Sequence, residues 1–192
     1  MIGLGLRAQK GGAVAVGLRI EAGEPQLMFS RIIPTGVEDD PLSFEPYRTA
    51  AALPREQAAA AVTEGRERQD RLAAESLRSM TPVPSLAALL VNRAGWITDL
   101  LDYSLAWPEH VPVAELLAVR EALRAGCRMA GIEIAELDEK SLPDQAAAAL
   151  GLTSAQIEER LKNFGAAAGK PWRKEQKLAC LAAWVGAVTY RS

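Results

Sequence analysis

Residues 2–33 read as short apolar stretches broken by turns. Ile2 to Gln9 and Ala13 to Ile20 flank Lys10-Gly11-Gly12, whose glycines supply the positive φ of a tight hairpin turn. In the second stretch Val14, Val16, Leu18 and Ile20 alternate with Ala13, Ala15, Gly17 and Arg19, so one strand face belongs to a core. Glu21-Ala22-Gly23-Glu24 predicts the next turn. Gln26 to Ile33 reads as a third strand, stopped by Pro34, which has no N–H to give a ladder. Residues 35–53 carry Pro, Gly, Asp and Glu without a clean period and read as an irregular connection, a kind often functional or mobile.

From Pro54 the period changes to that of a helix. Ala58, Ala61, Val62, Leu72, Leu77 and Met80 mark its inner stripe as far as Met80, and Arg and Glu residues alternate on the outer face as i,i+3 and i,i+4 ion pairs. Thr81-Pro82-Val83-Pro84 breaks it. Leu86 to Val91 is then a continuous apolar run, the mark of a central parallel strand covered on both faces. Val113 to Ala130 reads as a helix with Leu116, Val119, Leu123, Cys127 and Ala130 inward and Gly131 at its C-cap. Ile132, Ile134 and Leu137 predict a fifth strand. Thr153 with Gln156 forms a capping-box pattern for a helix to about Phe164. A last helix, Arg173 to Tyr190, is apolar over most of its circumference, through Leu178, Cys180, Leu181, Trp184, Val185 and Val188.

Composition narrows the class. The 192 residues, 49% of them hydrophobic, suffice for the core of one domain, and 22 basic against 24 acidic side chains leave a net charge of −2 with no global attraction for polyanions. Any nucleic-acid contact is therefore local. Ala-rich runs and an excess of Arg over Lys fit a GC-rich bacterial coding sequence. Cys127 and Cys180 stand alone, which predicts buried small hydrophobes in a reducing compartment and neither a zinc site nor a disulfide. No basic leader precedes an apolar run and no apolar stretch reaches the ~18 residues of a membrane span, so a cytoplasmic protein without membrane contact is expected.

The order strand, strand, strand, helix, strand, helix, strand, helix resembles the ribonuclease H-like superfamily, which includes RuvC-type resolvases, related nucleases and actin-like ATPases. The stretch Gly169-Lys170-Pro171-Trp172-Arg173-Lys174-Glu175-Gln176-Lys177-Leu178-Ala179-Cys180-Leu181-Ala182-Ala183-Trp184 is similar to the last helix of RuvC-like proteins. The resemblance implies a single α/β domain over residues 1–192, with a mixed sheet of three antiparallel strands followed by two parallel-type strands, flanked by helices. It also implies, for the nucleases, two divalent cations held by carboxylates of the first strand, the fourth strand and the last helix. In this chain the first strand offers Leu4-Gly5-Leu6-Arg7-Ala8-Gln9, the fourth ends at Val91-Asn92-Arg93, and Glu175 alone falls near a matching position. One carboxylate does not hold two hard cations, so neither a nuclease centre nor a cofactor is expected. The phosphate loop of the actin-like branch needs an acid that Lys10-Gly11-Gly12 lacks, which leaves a plain hairpin turn.

Two surfaces remain as candidates. An insertion near 95–112 gathers Trp96, Trp107, Tyr103 and the single His110. It reads as packing its aromatics on the sheet, with His110 in a surface loop. Under an alternative enzymatic reading, Asp99, Asp102, Glu115 and Glu175 assemble a displaced Mg²⁺- or Mn²⁺-dependent nuclease or hydrolase site. The second surface is basic: Arg160, Lys162, Lys170, Arg173, Lys174 and Lys177 surround Trp172, the combination a single strand or phosphate backbone uses. Trp172 itself is expected to plug the start of the last helix, walled by Leu161, Phe164 and Leu178. The sequence thus points to a non-catalytic binding or structural module whose candidate partners are a protein, a second copy or a nucleic acid.

Overall fold

A computed structural model describes every residue except Ala22, Arg93, Arg191 and Ser192, so the expectations that involve Ala22 and Arg93 fall outside the described residues. Strands β1 (Ile2–Gln9), β2 (Gly12–Glu21) and β3 (Glu24–Pro34) form an antiparallel meander, and β4 (Leu86–Val91) and β5 (Glu133–Asp138) extend it in parallel, in the order β3-β2-β1-β4-β5. β4 is interior, between β1 and β5. Gly11, at φ +69°, makes the first turn, which packs on Phe44 and is anchored by Lys10 Nζ to Glu45 at 2.9 Å. The lysine is therefore committed to a carboxylate, consistent with a hairpin and not a phosphate cradle.

The irregular connection of residues 35–53 contains two short helices, α1 (Pro41–Phe44) and α2 (Pro46–Ala50), each opened by a proline. Burial of Tyr47 and Ala50 against α3 (Arg55–Arg78) holds this segment down despite its lack of periodicity. The insertion folds as α4 (Leu100–Ala106) and a 3-10 turn, Pro108–His110, leading into α5 (Val111–Ala130), which starts before Val113 because Pro112 suits a first turn. α6 (Leu142–Leu150) lies where the sequence predicted no helix. α7 (Ser154–Ala168) has the expected capping box and runs past Phe164, and α8 (Lys174–Thr189) closes the fold.

Side-chain alternation divides the core into two layers. Leu4, Leu6, Ala8, Ala87 and Leu89 face α3 and α5, whereas Val14, Val16, Leu18, Leu90 and Leu137 face α6, α7 and α8. α8 lies directly on β1. A Cβ on Gly5 would stand 1.7 Å from the Ala179 carbonyl oxygen, and one on Gly3 would stand 2.9 Å from that of Ala183. The helix therefore runs antiparallel to β1, and its N-terminal turn stands over the strand's carboxyl end. Cys127 and Cys180 are buried thiols, one in each layer, with pKa values raised by desolvation. No helix among the described residues is long and apolar enough to cross a membrane.

Candidate functional site

The parallel strands β1, β4 and β5 all finish at one end of the sheet, where α8 begins. On β1, Gly3, Gly5 and Arg7 share the face toward α8, since Leu4, Leu6 and Ala8 take the other. Arg7 Nε and Nη2 donate to the two carboxylate oxygens of Glu139, each at 3.0 Å. Glu139 is placed by its own backbone, whose N–H reaches the Val91 carbonyl at 2.9 Å as the chain leaves β5. The planar fork thus spans the end of β4 as a bidentate pair, with its two side chains only 25% and 20% exposed. Asn92 is exposed beside it, and Glu175 is half-buried in the first turn of α8.

The four carboxylates of the enzymatic reading are not gathered. Asp99 caps α4 by accepting from the Asp102 N–H at 2.9 Å, and Asp102 pairs with Arg55. Glu115 is buried on α5, where its Oε1 accepts from the Arg48 N–H at 2.8 Å and its Oε2 has no partner among the described residues. Burial pushes its carboxyl up to about 7, assisted by Glu45 and opposed by backbone N–H groups of Arg48 and Tyr47 and by the Arg48 charge. The sheet separates Glu115, in the α3–α5 layer, from Glu175 on α8. Among the described residues no group of three His, Cys, Asp or Glu side chains is arranged to hold a metal.

The basic stretch is divided by the fold. Arg160 turns toward β3 and pairs with Glu24 at 2.9 Å. Lys162 and Lys177 line a groove between α7 and α8 that also holds Glu158 and Glu159. Lys170 and Arg173 on the α7–α8 connection and Lys174 at the start of α8 are exposed, at the carboxyl end of the sheet. Trp172 is half-buried: its Nε1–H donates to the Leu161 carbonyl at 2.9 Å and its ring lies against Gly165, so it anchors the connection.

The insertion departs from expectation. Leu100, Leu101, Tyr103 and Leu105 pack on the cluster joining α2, α3 and α5, not on the sheet, while Trp96 and Trp107 are 70% and 64% exposed. His110 is not free in a loop. It stacks on Tyr103 with ring centroids 4.0 Å apart, and its Nδ1 lies 2.8 Å from the Tyr103 carbonyl oxygen.

No protein-family model and no curated protein sequence matches the chain. Among solved structures it is similar to RuvC from Thermus thermophilus, with a TM-score of 0.58 at 11% identity over 98% of this chain and 94% of that one. It is also similar to T. thermophilus RuvC in complex with a Holliday junction substrate, with a TM-score of 0.60 at 10% identity over 100% and 95% of the two chains. The chain has the ribonuclease H-like fold of RuvC. Arg7, Asn92 and Glu175, the residues that the sequence resemblance singled out, lie near the ends of β1 and β4 and in the first turn of α8. Sequence reasoning named these three residues. It missed Glu139, which lies 132 residues from Arg7 and carries no local signal of the pairing.

Proposed function

We propose that this chain is a ribonuclease H-like binding module, without a two-metal nuclease centre, that holds a phosphate backbone at the carboxyl end of its sheet. The observation that carries the reading is the bidentate Arg7–Glu139 pair. A guanidinium stays charged at any physiological pH and repels a divalent cation, and its partner carboxylate has both oxygens already engaged. The same end carries Lys170, Arg173 and Lys174 in solvent, on the α7–α8 connection and the first turn of α8, cations of the kind that bind phosphates. The Holliday junction bound by the similar RuvC supports a nucleic-acid partner. A cytoplasmic setting belongs to the reading and is supported by two buried, unpaired cysteines.

The test is fluorescence anisotropy with labelled four-way-junction, duplex and single-stranded DNA over a range of salt concentrations. The expected outcome is binding that weakens steeply with salt, and an Arg173→Glu/Lys174→Glu variant whose log–log salt slope is shallower by roughly 1 for each phosphate it no longer neutralises. Absence of binding at low salt, or binding that the double variant leaves unchanged, contradicts the reading.

A further inference from the structure

On the opposite face of the sheet from α8, a cavity of about 640 Å³ opens between α3 and α5 under the 94–101 segment. Val62 and Arg66 of α3, Leu117 and Arg120 of α5, Leu101 of α4 and Asn92 beyond β4 line it. Arg66 holds Glu121, Arg124 holds Glu136 of β5, and Asp99, the third carboxylate of the lining, accepts the Asp102 N–H as the cap of α4. Arg120 is the exception. Its side chain is 5% exposed, and its Nε has no hydrogen-bond partner among the described residues. Glu139 and Glu136 act on it at longer range, but their carboxylates are committed to Arg7 and Arg124. Burial pulls its guanidinium below the ordinary arginine range, opposed by Glu139 and Glu136 and reinforced by Arg124 and Arg7.

A buried cation without a matched counter-ion is strongly unfavourable, and a guanidinium resists relief by losing its proton. A completing anion removes the penalty, and the adjoining cavity gives one access. We propose that this cavity is a binding site for a small organic anion whose phosphate or carboxylate group seats on Arg120. The volume falls within the ordinary range of small-molecule sites. Val62, Leu101 and Leu117 supply an apolar wall for the ligand body, and the Asn92 amide can fix its orientation. The planar fork of Arg120 matches two oxygens of either oxyanion. The cavity reaches the carboxyl end of the sheet through Val91 and Asn92 but opens on the α3–α5 side, whereas Lys170, Arg173 and Lys174 lie on the α8 side.

Thermal melts and titration calorimetry with inorganic phosphate, adenosine monophosphate and glutarate test the proposal on the full chain. At least one organic anion is expected to bind saturably and to raise the melting midpoint by ~5 °C at about a hundredfold excess over its Kd. Adenosine monophosphate alone acting assigns a phosphate ligand, and glutarate alone assigns a carboxylate. Arg120→Met is expected to melt at or above the parent in anion-free buffer, because the uncompensated charge is gone, and to bind at least ~30-fold more weakly. Thr63→Trp, an exposed position at the cavity wall, is expected to block binding with Arg120 intact, and Arg19→Gln on β2 is expected to bind like the parent. No response to any of the three anions overturns the proposal. So does an undiminished response in Arg120→Met or in Thr63→Trp, or an Arg120→Met variant that melts well below the parent without anion.

Discussion

Arg7 and Arg120 stand close enough to act on each other electrostatically, and Glu139 acts on both, yet the fold treats them in opposite ways. Arg7 spends two fork nitrogens on Glu139 and keeps a quarter of its side chain in solvent. Arg120 lies deeper, and its Nε has no partner among the described residues. Stability alone favours the reverse, with the deeper charge paired and the shallower one solvated. On the proposed reading Arg7 is closed structure, whereas Arg120 is an incomplete site that an anion completes.

The most damaging way to break the comparison is to dislodge the face that Arg7 belongs to. Gly5→Ala drives a methyl into the Ala179 backbone and is expected to cost about 4 kcal/mol or more, read by chemical denaturation, because neither β1 nor the α8 backbone can yield cheaply. Glu115 sharpens it from the other side, as a second incompletely partnered polar group on α5 that, unlike Arg120, can discharge itself. Its folded pKa, about 7, lies above the ordinary 4.5, so its contribution to stability is complete below 4.5 and is lost as pH rises toward and through 7. Glu115→Gln is therefore expected to be more stable than the parent by about 2–3 kcal/mol at pH 8, with the difference vanishing near pH 4, in denaturation curves taken across that range.

Trp172→Ala is expected to cost about 2–3 kcal/mol, less than the removal of a fully buried aromatic, since the indole is half-buried but hydrogen-bonded to Leu161. A melt equal to the parent's would free that ring for a ligand. The smallest effect belongs to the pair itself. Glu139→Gln is expected to cost about 1–2 kcal/mol by denaturation, because both side chains keep some access to solvent.

The strands and long helices were legible because their periods are strong: 2 in β2, an unbroken apolar run in β4, and a 3.6-residue stripe with a glycine cap in α5. α1, α2 and α6 were not, since helices so short show little periodicity and a run such as Ala146-Ala149 has no apolar stripe to read. Their remaining signals were the prolines at 41, 46 and 143 and Gly151. At the site, the absence of acids at Arg7 and Asn92 was visible in the sequence, but the partner that makes Arg7 structural was not. Arg120 carries a signal of its own, since it interrupts the buried sequence Ala118-Val119-Arg120 beside the apolar stripe, but an arginine there reads equally well as part of a solvated helix face. The exposure of Trp96 and Trp107 was missed because large aromatics are ordinarily read as core.

The central claim is that the Arg7–Glu139 pair stands in place of a working metal centre. The most direct measurement is cleavage of four-way-junction, duplex and hybrid substrates by the purified protein in Mg²⁺ and in Mn²⁺. The account predicts intact substrate under all of these conditions. Cleavage that disappears in Glu175→Gln would contradict it and place a functioning nuclease centre at the start of α8.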